Sequence, residues 1–473
     1  MFLLKFILPL LLIINPLFAK CQSKTDIYDV IIVGGGVSGL SAASTLRKNG
    51  VDKILVLEAA DRIGGRVWTI DPWGSKLELG ASWIHGIENS PTFQIIKDMN
   101  ITIEPTIYNG SCPACKMNSM ALYDENGHRL TKEEIAQLQD YVEKFGKYST
   151  DYDEKNGNNA LTMRDALNNF SKENNLSKVM SNRLHYTLDL LVTHEVALDL
   201  DKIALSTTKI YGQSQVSGTN AIIPLGYNLL AAKLAKNISL ELNCSVTGIL
   251  YDKEIIECTT SKGTYRTKNC IVTVPLGVLK KDKIAFSPSL PNITQEAISK
   301  LDVGIFNKIY LLFPCVFWDH DVEWIEQISS SEKPNHIYDI LNFGKYCKQP
   351  ILLAFTAGTF GQEVEKWSDT KTVDSVMAML KKIYGNEIPS PTSYRITRWG
   401  QDPLTFCSYS SPGLYANAQT YANFATPVKD RLYFAGEATS KTDPSTVLGA
   451  FTSGERAAKQ ILNKMGIQPR QED

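Results

Sequence analysis

Three glycines with the spacing G-x-G-x-x-G form the pattern that points most directly to chemistry. Gly34, Gly36 and Gly39 follow a β-branched run, Tyr28 to Val33, that is typical of a buried parallel strand, and residues 40–48 read as a helix. Gly34 would make the tight turn, Gly36 would let a pyrophosphate approach the backbone, and Gly39 would let helix and strand pack closely. Because the helix N-terminus then faces the phosphates, the unit predicts dinucleotide binding.

An acidic residue ends the next predicted strand. Residues 53–57 lead into Glu58, whose carboxylate could bond the ribose hydroxyls of the dinucleotide. Gly64, Gly65 and Arg66 follow, and Arg66 could serve as counter-ion for the pyrophosphate. By spacing alone, an ordinary glycine-rich turn with a solvated arginine explains Gly64, Gly65 and Arg66 equally well. The dinucleotide unit itself does not distinguish NAD from FAD.

The motifs taken together resemble the flavin-containing amine oxidase family, which comprises monoamine oxidases, polyamine and spermine oxidases, and flavin histone demethylases. The similarity is colinear from about Asp29 to Leu462 and is closest to the polyamine and spermine oxidases. The stretches that carry it are Gly34–Gly39, Glu58, Gly64–Arg66, Gly80–Gly86, Thr273–Lys280, Asn307–Lys308, Trp399–Pro403, Ser408–Ser410 and Phe434–Thr439.

The resemblance implies an α/β protein of two interrupted domains. A discontinuous Rossmann-type FAD-binding domain would comprise residues 26–95, 222–300 and 395–465, and an α+β substrate-binding domain would comprise residues 96–221 and 301–394. Local patterns add that residues 161–191 are helical, that 239–270 alternate as strands of a small sheet, and that 447–462 form a helix with one small or apolar face. The N-terminus of this last helix could face the flavin.

FAD is the cofactor that the resemblance implies. The family's covalent linkage would fall on Ser408, although Cys407 is its neighbour, so we expect non-covalent FAD. The residues expected to contact FAD are Gly34, Gly36, Gly39, Glu58, Gly65, Arg66, Ala81, Ser82, Trp83, Val246, Trp399, Gly436, Glu437 and Val447.

Lys308 is the principal catalytic candidate. It interrupts an otherwise almost wholly apolar strand, Ile305 to Phe313, where burial should lower its pKa. The resemblance implies that it holds a water against the flavin and assists reoxidation by oxygen; without the resemblance, a lysine reaching solvent from an edge strand would be preferred. The other catalytic candidates are Tyr409, as one aromatic wall of the site, and His85, in the substrate channel.

Substrate recognition is expected from Thr446 and Glu195. Thr446 stands where monoamine oxidases have a second tyrosine, which favours a polyamine or related secondary amine, and Glu195 could pair with a distal ammonium; Glu88 is a weaker candidate. Leu448 stands at a position beside the flavin where many members of the family have histidine or glutamate. The expected reaction uses oxygen and yields an aldehyde, an amine and hydrogen peroxide. The alternatives are an L-amino-acid or primary monoamine oxidase and a non-catalytic flavoprotein; the leader and the absence of nuclear-type basic runs disfavour a histone demethylase.

Composition and the N-terminal residues limit partners and location. The 473-residue chain has 49 Lys+Arg and 50 Asp+Glu, so a generally basic surface for nucleic acid is not expected. Residues 1–22 resemble a signal peptide with a cleavage point after Ala19, which predicts a secreted, periplasmic or secretory-lumen protein without stable membrane insertion. Cys112 and Cys115 favour a loop disulfide or two free thiols rather than a metal site.

Overall fold

The computed structural model describes residues 26–106, 120–156, 161–207, 214, 216–329 and 339–468. The predicted leader and the Cys112–Cys115 pair lie outside these residues. The described strands are β1 (Ile27–Val33), β2 (Ile54–Leu57), β3 (Thr69–Ile70), β4 (Leu77–Glu78), β5 (Trp83–Ile84), β6 (Glu104–Pro105), β7 (Met120–Tyr123), β8 (Ala221–Ile222), β9 (Leu240–Glu241), β10 (Val246–Leu250), β11 (Ile256–Thr260), β12 (Gly263–Val272), β13 (Ala285–Ser287), β14 (Asp302–Gly304), β15 (Phe306–Leu312), β16 (Trp324–Gln327), β17 (Asp339–Leu341), β18 (Ile351–Ala357), β19 (Ser393–Ile396), β20 (Tyr409–Ser411) and β21 (Leu432–Phe434).

The described α-helices connect and cover these strands. They are α1 (Val37–Lys48), α2 (Pro91–Asp98), α3 (Lys132–Asn156), α4 (Met163–Glu173), α5 (Lys178–Val196), α6 (Asn228–Leu234), α7 (Leu276–Lys280), α8 (Asn292–Lys300), α9 (Gly358–Val364), α10 (Asp369–Tyr384), α11 (Ala418–Phe424) and α12 (Val447–Lys464). Within the ranges given above, no helix combines the length and apolar character needed to cross a membrane.

An eight-stranded sheet carries the dinucleotide motif. β21, β12, β1, β2 and β9 run parallel, as the buried run before Gly34 predicted. Residues 239–270 form strands as expected, but the expectation that these strands make a small sheet is wrong, because they belong to the eight-stranded sheet. Residues 266–272 of β12 lie beside β1, so its antiparallel partner β11, with β10 paired to β11 in turn, extends the same sheet.

Helices α1 and α12 pack closely against each other on this sheet. A side chain at Gly454 would collide with the backbone oxygen of Ser38, so only glycine permits the approach. The predicted C-terminal helix therefore supports the helix that begins at the glycine loop.

A six-stranded sheet forms the second body, in the order β19–β15–β18–β17–β16–β7. One face packs against α3, α4 and α5, and the other against α9 and α10. Strand β14, which ends just before β15 begins, pairs in antiparallel fashion with β20. This pairing joins the six-stranded sheet to the segment that carries Tyr409. The active-site candidates Lys308 and Tyr409 are thereby held on neighbouring elements.

Candidate active site

The glycine loop leaves the start of α1 open to a phosphate. Gly34 has a φ of +111°, which favours glycine, and Gly36 is the N-cap of α1 without a side-chain hydrogen bond to the helix. The amides of the first turn are therefore available to a pyrophosphate. A Cβ on Gly39 would collide with the Gly34 backbone oxygen, so Gly39 permits close packing of helix and loop.

Glu58 fixes this loop from the neighbouring strand. Its carboxylate accepts from the amides of Gly35 (2.6 Å) and Ala60 (2.7 Å), and the side chain is buried. Burial raises its pKa, and the two amide hydrogen bonds oppose that rise. Each carboxylate oxygen retains a lone pair, so Glu58 fits a ribose hydroxyl as well as the loop.

One cavity of about 640 Å³ runs from the glycine loop into an aromatic chamber between the two sheets. Gly39 lies behind the loop instead of on the cavity wall, and the weaker candidate Glu88 does not line the cavity either. The other predicted site residues all line the cavity: Gly34, Gly36, Glu58, Gly65, Arg66, Ala81, Ser82, Trp83, His85, Glu195, Val246, Lys308, Trp399, Tyr409, Gly436, Glu437, Thr446 and Val447. The cavity is therefore continuous between the expected cofactor and substrate residues.

Arg66 is held by a carboxylate within the cavity wall. Its guanidinium donates to Glu437 (2.9 Å) and to the Ser408 backbone oxygen (3.0 Å). Burial opposes the charged form, but the Glu437 charge and hydrogen bond leave the pKa of Arg66 raised. Glu437 also accepts from Ser410 and Ser445, so it organises three chain segments around the cavity. The contacts of Arg66 and Glu437 with FAD stay predictions.

Lys308 lies fully within the protein where the two parts of the cavity meet. Its Nζ donates to the backbone oxygens of Glu78 (2.9 Å) and Gly80 (2.5 Å) and to the hydroxyl of Ser82. Burial lowers the pKa of Lys308 to about 7, although the charge of Glu78 opposes that shift. An amine that is half protonated near neutral pH is suited to proton transfer.

The chamber beyond Lys308 has walls of stacked aromatic rings. Phe306 stacks on Phe355 with 5.2 Å between ring centroids, and Trp83 stacks on Trp324 at 6.5 Å. Tyr409 lies 6.1 Å from Phe306 by the same measure. These rings come from β5, β15, β16, β18 and β20, so strand pairing sets the shape of the chamber.

The hydroxyl of Tyr409 is fixed by the last turn of α5. It donates to the backbone oxygen of His194 at 2.8 Å. The His194 ring packs edge-on against Phe306 and lies 3.0 Å from the Asp339 carboxylate through Nδ1. Sequence reasoning missed His194 and Asp339, because only the fold brings α5 beside β17.

Thr446 lines the cavity as the N-cap of α12. Its hydroxyl accepts from the Gly449 amide and donates to the Asp443 backbone oxygen, both at 2.9 Å. The hydroxyl is thus engaged in starting the helix, and its contact with substrate stays a prediction.

His85 and Glu195 lie close to each other on the chamber wall. The surface of His85 opens into the cavity and is accessible to water there, although protein atoms surround the ring. Desolvation lowers the pKa of His85, and the negative charge of Glu195 opposes that shift. A neutral histidine beside a carboxylate can accept a substrate cation.

Cys407 is completely buried behind the cavity wall, whereas its neighbour Ser408 lines the cavity. Burial raises the pKa of the Cys407 thiol to about 11 against the opposing effect of Arg66. A protonated thiol behind the wall is a poor nucleophile, which agrees with non-covalent cofactor binding. In the described part of the chain, no group of three or more His, Cys, Asp or Glu side chains is arranged to hold a metal ion.

Comparisons with known proteins identify a family from the sequence and a shared fold from the structure. The family model described as "Flavin containing amine oxidoreductase" matches residues 37–462. Polyamine oxidase 4 of Oryza sativa subsp. japonica is 35% identical over 95% of this chain and 91% of that protein, and polyamine oxidase 2 of Arabidopsis thaliana is 32% identical over 94% and 91%. A solved structure of wild-type putrescine oxidase bound to putrescine has a TM-score of 0.74 at 18% identity, covering 93% of this chain and 99% of that one.

Proposed function

The chain belongs to the flavin-containing amine oxidoreductase family and uses FAD as its cofactor, and from this premise we propose that it oxidises a polyamine or a related secondary amine. Oxygen is the electron acceptor, and the products are an aldehyde, an amine and hydrogen peroxide. The observation that carries the proposal is the continuous cavity, which joins a dinucleotide loop to an aromatic chamber through Lys308. The relatives named polyamine oxidase support the substrate class.

The residues of the first sheet fit the cofactor. The open N-terminus of α1 would hold the pyrophosphate, Glu58 would bond the ribose, and the Arg66–Glu437 pair would fix the wall beside it. When bound, FAD supplies the acceptor for the hydride of the carbon next to the amine nitrogen and then passes the electrons to oxygen. Lys308 holds a proton at Nζ within reach of this junction.

The aromatic chamber suits a reacting amine in its neutral form. The part of its wall formed by His85 and Glu195 suits a second amine group that is charged. Phe306, Trp324 and Phe355 exclude water from the reacting nitrogen. The distal ammonium of a polyamine, however, needs an opposite charge when it leaves water, and Glu195 supplies it beside His85. A simple monoamine has no second ammonium group that could pair with this carboxylate.

The arginine distribution argues against an L-amino-acid oxidase, which needs a guanidinium for the substrate carboxylate. Among the described residues, Arg62 and Arg66 are the arginines that line the cavity. Arg62 donates to the Gly65 backbone oxygen, and Arg66 is paired with Glu437. Both belong to the dinucleotide half, so the chamber half has no arginine on its described wall.

The proposal is tested by anaerobic mixing of the FAD-loaded protein with spermine, spermidine, acetylated polyamines, tyramine and L-amino acids. We expect polyamines to bleach the visible flavin absorption, whereas bleaching by amino acids alone would favour the alternative and bleaching by no amine would exclude an oxidase. Glu195→Gln should raise KM for spermine about tenfold, equivalent to about 1.4 kcal/mol, with little change for tyramine. Glu296→Gln is the matched control, because Glu296 is exposed, pairs with Lys300 and does not line the cavity.

We also propose export through the leader at residues 1–22. Fusing these residues to a reporter enzyme should direct the reporter out of the cytoplasm and yield a new N-terminus near residue 20, which N-terminal sequencing would identify. A reporter that stays uncleaved in the cytoplasm would contradict export.

A further inference from the structure

Glu78, a residue that the sequence patterns did not single out, is in direct contact with Lys308. It is the last residue of β4 and is only 2% exposed. Its carboxylate accepts from the Thr69 hydroxyl (2.9 Å) and from the Tyr227 amide (2.8 Å). These bonds tie the end of β4 to β3 and to the start of α6.

The backbone of the same residue holds the lysine. The Glu78 oxygen accepts from Lys308 Nζ and from the Tyr310 hydroxyl, both at 2.9 Å. Lys308 and Tyr310 are two residues apart on β15 and so point to the same side of the sheet. The next two acceptors of Nζ, Gly80 and Ser82, continue the segment that begins at Glu78. The anchored end of β4 therefore sets the place of the ammonium group.

Charge adds to this geometry. Lys308 is 3% exposed, so its ammonium form lacks hydration and depends on protein oxygens and on nearby negative charge. Among the described residues, Glu78 is the carboxylate whose charge opposes the fall in the pKa of Lys308. Burial raises the pKa of Glu78 itself, while Tyr227, Thr69 and Lys308 oppose that rise.

We propose that Glu78 is the positioning residue of Lys308: its anchored backbone places the Nζ atom at the junction of the cavity, and its buried carboxylate supplies negative charge close to that amine. This inference rests on the proposed function only in giving Lys308 a part in flavin chemistry.

The test is a pH titration of the visible absorption spectrum of the FAD-loaded protein, which needs no amine substrate. In the wild type, a spectral transition near pH 7 should appear, and in Lys308→Met it should be absent, which assigns the transition to Lys308. In Glu78→Gln, which keeps the acceptor for Thr69 and Tyr227 but removes the charge, the midpoint should fall by about one pH unit or more. Tyr310→Phe removes the other donor to the same backbone oxygen and should leave the midpoint unchanged.

A second readout follows reoxidation by oxygen after reduction with dithionite. Its pH profile should move in the same direction and by the same amount in Glu78→Gln. An unchanged midpoint in Glu78→Gln would overturn the inference. If that variant does not fold, Glu78→Asp, whose carboxylate is withdrawn by one methylene, should give a smaller shift to lower pH, and an unchanged midpoint there would overturn it as well. Failure of the proposed function would appear separately, as a flavin that titrates normally but is not bleached by any amine.

Discussion

Replacing Lys308 by methionine should change how the stability of the protein depends on pH. Burial lowers the pKa of Lys308 from its ordinary value of 10.5 to about 7. Between these values the unfolded chain binds a proton that the folded chain has released, so the contribution of Lys308 to stability rises with pH. Integrating a single site from pH 7 to pH 9 gives about 2 kcal/mol in favour of the wild type. Methionine fills a similar volume and has no proton to release.

The assay is urea unfolding of the FAD-loaded proteins at about pH 7, 8 and 9, followed by tryptophan fluorescence. The free energy of unfolding of the wild type should gain about 2 kcal/mol over that of Lys308→Met across this range. Lys268→Met is the matched control, because Lys268 is exposed and does not line the cavity, and it should follow the wild type. If the difference between the wild type and Lys308→Met stays constant from pH 7 to pH 9, Lys308 does not titrate in this window and the argument from burial fails.

Three further experiments test the packing of the site and the way in which the flavin is bound. Tyr409→Phe removes the donor to the His194 backbone oxygen and should lower kcat/KM by severalfold, corresponding to about 1 kcal/mol, with the flavin content unchanged; an unaltered kcat/KM would show that this hydroxyl is not needed. Gly454→Val should force α12 away from α1 and lower stability by about 3 kcal/mol with loss of FAD, measured as a fall in Tm and in flavin content; a normal Tm would contradict the close approach. Denatured protein should release all its flavin into a filtrate, both in the wild type and in Cys407→Ser, whereas yellow protein retained on the filter would indicate a covalent bond.

The parts of the site that could be predicted from the sequence are those encoded by neighbouring residues. The glycine loop, Glu58 and the parallel strands around them follow from one short segment, in which each residue type has a local task. Lys308 was conspicuous as a charge inside an apolar strand, but only the family resemblance favoured a buried catalytic lysine over one that reaches solvent. Its actual partners on the segment from Glu78 to Ser82 were not recognisable, because two of the three are backbone oxygens.

The chamber could not be predicted in the same way, because its walls depend on strand order. Trp324 and Phe355 belong to two strands, β16 and β18, that are separated by β17, and only the strand order of the six-stranded sheet brings them together. Thr446 shows the converse: its residue type suggested substrate recognition, but its position at the start of α12 engages the hydroxyl in capping. The small sheet was expected from the alternation of residues 239–270 alone, and alternation does not reveal that β12 also pairs with β1.

The contact between α1 and α12 has a consequence for biosynthesis. The glycine loop leaves the ribosome early, but its supporting helix is made on the order of 20 to 80 s later at ordinary rates of synthesis. Before β21 and α12 are made, the apolar face of α1 that α12 will cover stays without a partner. FAD should therefore enter only after translation is nearly complete, and a stop codon anywhere before Val447 should yield a protein that captures no flavin, however intact its nucleotide motif.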